Sequence, residues 1–278
     1  MNELYDVIIV GSGPAGLTAG IYTSRANLKT LLVAGAKWGG QLMLTTGVEN
    51  FPGFTLGIQG PDLMINMRKQ AERFGVEVRE QEVLGVDFSK RPFKVDEFLG
   101  KSVIVATGAA TQWLNVVGEQ ELIGRGVSSC APCDAPFFKG KRVVVVGGGD
   151  AAMEEALVLT RFASEITIVH RRDSFRASKI MQDRVLASPN IKVKWNTEVV
   201  GIVGKEKVER VQLMTTNDNR MTTYDCDGIF VAIGHKPASK IFEGKIELDE
   251  KYYAKRVGGK YRTMSNVEGV FVAGDVHE

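Results

Sequence analysis

Short runs of β-branched and aliphatic residues, several closing on a glycine, alternate with stretches of helical periodicity along this 278-residue chain. Tyr5-Asp6-Val7-Ile8-Ile9-Val10 reads as a strand buried on both faces, as in a parallel sheet. It runs straight into Gly11-Ser12-Gly13-Pro14-Ala15-Gly16 and a helical stretch through Tyr22 and Arg25. Thr30 to Ala34 is the next strand, followed by the loops Trp38-Gly39-Gly40-Gln41 and Val48-Glu49-Asn50-Phe51-Pro52-Gly53. Residues 62 to 74 form an amphipathic helix, with Leu63, Ile65, Met67, Ala71 and Phe74 among its apolar positions. Two strand candidates within 76 to 99 predict a small antiparallel flap, and Ser102 to Val105 is a buried strand leading into Ala106-Thr107-Gly108. Composition shifts between Gln112 and Gly118, the signal of a domain boundary. The opening pattern then returns: a strand at Arg142 to Val146, the turn Gly147-Gly148-Gly149-Asp150-Ala151-Ala152, and a helix whose buried face carries Met153, Ala156 and Leu157. A strand at Glu165 to Val169, more within 191 to 215 and 228 to 233, the turn Ala232 to Pro237 and a last strand ending in Ala273-Gly274-Asp275 complete the pattern. This order predicts an α/β chain with two Rossmann-like dinucleotide-binding domains of three-layer ββα type.

The glycine turns carry a physical reason for that reading. Gly11 permits a tight turn after the strand, Gly13 lets backbone approach a pyrophosphate, and Gly16 lets helix pack close on strand. The N–H groups and positive end of the following helix then hold phosphate. In the second fingerprint Ala152 stands for the third glycine, which the pattern tolerates. The strand after the first fingerprint ends in Ala34 where an acid would hold ribose hydroxyls, so either other groups hold that ribose or this end is bound less tightly. After the second come His170-Arg171-Arg172 and Arg176, a basic cluster where the 2′-phosphate of NADP would be accommodated.

Composition narrows the class without changing the fold. With 44% apolar and 24% charged residues the chain reads as a soluble globular protein. Apolar runs fall short of the roughly 20 residues that span a bilayer, and Glu3 and Asp6 interrupt any signal-peptide pattern. A net charge of +2, with acids and bases mixed, gives no general attraction to nucleic acid. Three cysteines do not make a secreted disulfide framework, which favours a reducing, cytoplasmic compartment. Cys130-Ala131-Pro132-Cys133-Asp134 is the chemical focus, two cysteines able to close a small disulfide with an acid behind them. Zinc would need four ligands, and Cys226 with the scattered His170, His235 and His277 do not supply the spacing, so no metal is expected. A structural bridge this short restricts the unfolded chain little, so redox use leads; a pair of buried inert thiols is the plain alternative.

These motifs, in this order, closely resemble the low-molecular-weight flavin-dependent thioredoxin reductases, a class of pyridine nucleotide-disulfide oxidoreductase. The resemblance runs from Gly11 to Asp275 through Gly39-Gly40-Gln41, Glu49-Asn50, Ala106-Thr107-Gly108, Gly124-Arg125-Gly126, the cysteine motif, the second fingerprint, the arginines and Ala273-Gly274-Asp275. It implies a first domain over 1–115 and 243–278 that binds FAD through Gly11, Ser12, Gly13, Pro14, Ala15, Gly16, Gly39, Gly40, Gln41, Asn50, Thr107, Gly108, Gly274 and Asp275. An inserted second domain, 116–242, would bind NADPH through Gly147, Gly149, Asp150, Ala151, His170, Arg171, Arg172 and Arg176. It further implies that Cys133 is the sulfur next to the flavin, that Cys130 attacks the partner, and that Asp134 is the general acid and base. Arg125 resembles a position that helps dock thioredoxin, and hinges near 112–118 and 234–243 would rotate the domain carrying the pair. The implied activity is thioredoxin-disulfide reduction by NADPH in a cytoplasmic homodimer. The alternatives are a reductase for another small disulfide protein, or a truncated flavin- or nucleotide-binding protein without turnover. Two departures stand out: Ala135 replaces the family's usual glycine, and Pro132 sits inside the pair. The family also continues past Gly-Asp with an Arg-Gln-Ala stretch at the isoalloxazine ring and a helix of the dimer, so the first domain's C-terminal part is expected to be truncated at Glu278.

Overall fold

A computed structural model describes residues 3–45, 47–257 and 262–277. The chain separates into two compact units, Met1–Ala110 with Lys236–Glu278, and Thr111–His235. The crossing points lie a few residues ahead of the expected 115/116 and 242/243, for a packing reason. Trp113, Leu114 and Val116 lie against the core of the second unit, whereas Phe242 is fully buried in the core of the first.

In the first unit, β1 (Leu4–Val10) runs parallel to β2 (Thr30–Val33) on one side and to the long strand Phe98–Val105 on the other. Its alternation serves two cores. Ile8 and Val10 join Leu31, Val33, Val103 and Val105 on one face. Val7 and Ile9 join Leu32, Leu17 and Ile21 of α1 (Pro14–Arg25), and Leu63 and Met64 of α2 (Gly60–Arg73), on the other. Each fully buried Leu or Ile contributes roughly 1.5–3 kcal/mol. Pro14 opens α1, where a missing N–H costs nothing. Among the described residues the sheet has seven strands, with Val270–Val272 parallel to the end of Phe98–Val105.

The small antiparallel flap expected within 76–99 is present in part, as an extension of the main sheet. Glu77–Arg79 pairs parallel with β2 at the edge of the main sheet. Val86–Asp87 and Phe93–Val95 pair antiparallel, and the latter pairs with the start of Phe98–Val105, so all belong to the same sheet. Alternation along a segment marks a strand but not the partner it meets.

The second unit holds five parallel strands in the order Val127–Ser128, Gly228–Val231, Arg142–Val146, Glu165–Val169, Ile191–Lys194 among the described residues. One face, through Val143, Val145, Ile166, Ile168 and Phe230, packs on α4 (Asp150–Leu159) and α5 (Lys179–Leu186); α3 is the short turn Ala131–Asp134. The other face, through Val144, Val146, Ile229 and Val231, packs on Val199, Ile202, Val211 and Leu213. Those residues lie on the antiparallel sheet of Thr197–Val203, Arg210–Thr215 and Met221–Asp225. The strands expected within 191–215 are thus split between the two sheets. Three layers, ββα, result.

Candidate active site

In the first unit the predicted residues of the first fingerprint converge. Gly11 has φ +111°, and a Cβ there would lie 2.2 Å from the Ala106 carbonyl oxygen. A Cβ on Gly16 would lie 2.0 Å from the Gly11 carbonyl oxygen. Strand, turn and helix are therefore closed on one another as tightly as backbone permits. Gly40 lies against Gly13, and Gly274, at φ +75°, lies against Ala15, which brings two distant glycine turns to the start of α1. The Ser12 hydroxyl donates to the Ala34 carbonyl at 2.8 Å and accepts the Gly39 N–H at 2.9 Å, tying the second loop to the first. Gln41 Nε2 donates to the Ala109 carbonyl. Asp275 is exposed beside this cluster, one residue beyond Gly274, while Asn50 is exposed on its own loop and makes no hydrogen bond to the cluster among the described residues.

Two observations fit a dinucleotide here. The Thr107 Oγ1 is buried with no hydrogen-bond partner, the condition of a group awaiting one. Open space faces the Cβ position of Gly13, at the helix N-terminus where a pyrophosphate would lie.

The second unit repeats the device with different fixings. Gly147 is closed against the Ala232 carbonyl oxygen and Ala152 Cβ, at 2.4 and 2.7 Å from where its own Cβ would be, while open space faces Gly149. The Asp150 carboxylate accepts the Ser178 N–H at 2.9 Å and the Ser178 hydroxyl at 2.8 Å, and holds its own pKa below the usual range by doing so. Ala151 is exposed at the same helix end. Arg171, Arg172 and Arg176 are exposed and form no ion pair among the described residues, which suits a phosphate. His170 is not with them. The residue is 6% exposed, its ring packed with Phe175 and Trp195 at centroid distances of 5.5 and 6.1 Å. Nε2 lies 3.0 Å from the Ser174 carbonyl oxygen and carries the proton of that bond. Burial pushes this imidazole's pKa down, and the charges of Arg176 and Arg172 add to the effect. Its visible work is on the loop that presents the arginines.

Cys130 and Cys133 are bonded to each other, with Cα atoms 5.3 Å apart. Cys130 is extended, at φ −145° and ψ 96°, and the chain then turns through Ala131–Asp134 with the Asp134 N–H on the Cys130 carbonyl at 3.1 Å. Pro132 falls in the first turn, where no N–H is needed. Cys133 is exposed in this unit and Cys130 half-buried. The Cys130 N–H donates to Ser128 Oγ at 3.1 Å, and the Ser128 hydroxyl donates to Asp134 Oδ2 at 2.6 Å. Burial raises the Asp134 pKa, opposed by the Ser128 bond. A carboxyl group one residue behind a reducible bond, with raised proton affinity, is equipped to hand over and recover a proton. Cys226 is free and buried, its thiol pushed up to about 12 chiefly by that burial.

Two participants were not legible in the motif. Ser128 precedes it by two residues. Glu155, on α4, accepts the Ala131 N–H with its Oε2, and burial pushes its pKa up to about 7, with the charge of Asp134 adding. Its one signal in sequence is an acid directly beside the buried stripe of Ala152, Met153, Ala156 and Leu159.

Comparison with known proteins adds lineage to this geometry. The family model described as pyridine nucleotide-disulphide oxidoreductase matches residues 5–278. A thioredoxin reductase of Rickettsia prowazekii (strain Madrid E) is 49% identical over 280 residues, spanning 98% of this chain and 90% of that protein. One from Streptomyces clavuligerus is 50% identical over 282 residues, spanning 99% and 87%. The solved thioredoxin reductase from Giardia duodenalis superposes with a TM-score of 0.95 at 40% identity, covering all of this chain and 92% of that one.

Proposed function

This chain belongs to the pyridine nucleotide-disulphide oxidoreductase family, and from that premise we propose that it is an NADPH-dependent flavoprotein disulfide reductase acting on thioredoxin. The observation that carries the reading is the Cys130–Cys133 bond backed by the half-buried Asp134, in a unit that also holds a nucleotide fingerprint. FAD would be held by Gly11 to Gly16, Gly39 to Gln41, Asn50, Thr107, Gly108, Gly274 and Asp275, and NADPH by Gly147, Gly149, Asp150, Ala151 and the three arginines, with His170 setting their loop. When bound, the two cofactors supply the electron pair that reaches the disulfide.

The chain's own residues do the rest. Two electrons and one proton break the Cys130–Cys133 bond, leaving Cys130 as thiolate and Cys133 as thiol. Cys130 attacks one sulfur of the thioredoxin disulfide, forms a mixed disulfide and expels the other sulfur as thiolate, which Asp134 protonates. Asp134 then takes the Cys133 proton. The Cys133 thiolate attacks Cys130, restores the internal bond and releases the second thioredoxin sulfur, which takes a proton from water. Thioredoxin gains two electrons and two protons, and the chain returns to its starting state.

The reading includes a homodimeric state, which rests on the family resemblance, and a reducing cytoplasmic setting, supported by the sparse cysteines. No described helix is long and apolar enough to cross a membrane. Anaerobic titration of the purified protein tests it. A yellow protein that bleaches faster with NADPH than with NADH, and reduces thioredoxin unless Cys130 or Cys133 is changed to Ser, is expected. Colourless protein that stays inert after added FAD would refute it.

A further inference from the structure

We infer that Glu155 is a positioning residue for the redox pair: its carboxyl group fixes the turn between the two sulfurs and, with Asp134, sets how much of Cys130 stands as thiolate. The inference rests on the proposed disulfide chemistry and adds a residue that the motif does not contain. The geometry has two parts. The Ala131 N–H, in the turn that separates the cysteines, donates to Glu155 Oε2. Ala131 is fully buried, so this N–H has no access to water in place of the carboxyl group. On the other side of the same turn, Cys130 N–H, Ser128 and Asp134 form a second chain of bonds. The turn is thereby held from both ends by a carboxyl group.

The electrostatic surroundings are one-signed. The titratable groups acting on Glu155 are Asp134 from the redox turn and Glu154 from its own helix. The strands behind α4 present Val143, Val145, Ile166 and Ile168, and α5 presents Val185, to the shared core. Burial is the leading cause that brings Glu155 to about 7, so its charge changes in the physiological range, whereas an ordinary carboxylate would be ionised throughout it. An ionised Glu155 opposes a thiolate on the neighbouring Cys130, and a protonated one does not. Reduction of the disulfide adds negative charge beside two carboxyl groups. Such interacting groups titrate as a set.

The test uses the full chain, reduced and desalted anaerobically, with iodoacetamide labelling of Cys130 followed by peptide mass analysis from pH 5 to 9. Wild type is expected to give a broadened profile with an inflection near Glu155's titration. Glu155→Gln keeps an acceptor for the Ala131 N–H and removes the charge. It is expected to give a single, sharper step shifted to lower pH, with labelling roughly tenfold faster near pH 7.5, the equivalent of about one pKa unit. Glu155→Ala is expected to share that shift and also to slow re-closure of the disulfide, because the Ala131 N–H is left without an acceptor. A Glu155→Gln profile superimposable on wild type overturns the inference; should Glu155→Ala fail to fold, Glu155→Gln alone decides. Labelling needs neither NADPH nor FAD. An unchanged profile in a protein that reduces thioredoxin therefore refutes only Glu155's role, whereas a shifted profile in a protein that does not reduce thioredoxin refutes only the proposed function.

Discussion

The loop that carries the arginines hangs on one glycine, and Gly148→Ala is the substitution that exposes this. A Cβ at Gly148 would lie 2.2 Å from His170 Cε1 and 2.4 Å from Nδ1. The ring cannot swing aside freely, since it is enclosed by Phe175 and Trp195, themselves 4.3 Å apart, and tied to Ser174. The Gly148 carbonyl also accepts the N–H groups of Arg176 at 2.7 Å and Ala177 at 3.1 Å. Relieving the overlap costs about 1–3 kcal/mol in strain. Three hydrogen bonds holding the segment 174–177 then stand to be weakened, each worth roughly 0.5–1.5 kcal/mol net. Spent in part against binding, that predicts NADPH affinity lower by about tenfold to a hundredfold, at 1.4 kcal/mol per decade. NADH, which lacks the 2′-phosphate, is expected to change much less. Equilibrium titration with both nucleotides, alongside thermal unfolding, is the assay. Adding His170→Ala to Gly148→Ala is expected to recover unfolding temperature relative to the single variant, since it removes the atoms in conflict, and so to show coupling between the sites. A Gly148→Ala protein that binds NADPH within twofold of wild type and melts at the same temperature would refute the reasoning.

Two further outcomes follow from the second unit. Burial raises the pKa of both Asp134 and Glu155, so each folded value lies above the unfolded one. The stability they contribute is present below the unfolded carboxyl range and is lost as pH rises through the folded values, about 7 for Glu155. The melting temperature of wild type without nucleotide should therefore fall between pH 5 and pH 8, and fall less in Glu155→Gln; equal slopes in the two proteins would contradict the assignment. Glu119 is fully buried and accepts the Leu114 N–H at 2.9 Å and the Asn115 N–H at 2.7 Å. Glu119→Ala leaves both donors unpaired, and urea unfolding should show a loss of roughly 2–4 kcal/mol, whereas a change below about 0.5 kcal/mol, the scale of an ordinary surface substitution, would show that those bonds are replaced.

What could be read from the sequence was whatever depends on near neighbours in the chain. Val7 to Val10 and Val143 to Val146 are buried on both faces, so an unbroken aliphatic run was sufficient to mark them. Gly11 and Gly147 are closed against the carbonyl groups of Ala106 and Ala232, far along the chain, and were readable all the same because the local glycine fingerprint records that requirement. The partner of Glu77–Arg79 was not readable, because its half-buried pattern fits an edge strand of either direction. His170 was grouped with the arginines by adjacency, whereas the ring's position is decided by Trp195, far along the chain. Glu155 was missed for a related reason: nothing in the spacing of Cys130 and Cys133 indicates which helix will lie beside Ala131.

That last approach gives α4 two tasks on one rigid body. Its first turn presents the backbone of Gly149, Asp150 and Ala151 where nucleotide phosphate would lie, and about 1.4 turns further on Glu155 meets the redox turn. The helix has little freedom to slide between them. Gly147 is closed against the Ala232 carbonyl oxygen and Ala152 Cβ, and Met153, Ala156 and Leu159 are fully buried in the core beneath. The two fingerprints share a sequence pattern, yet in the second the helix carries a glycine turn at one end and, through one carboxyl group, holds the turn between two sulfurs along its side.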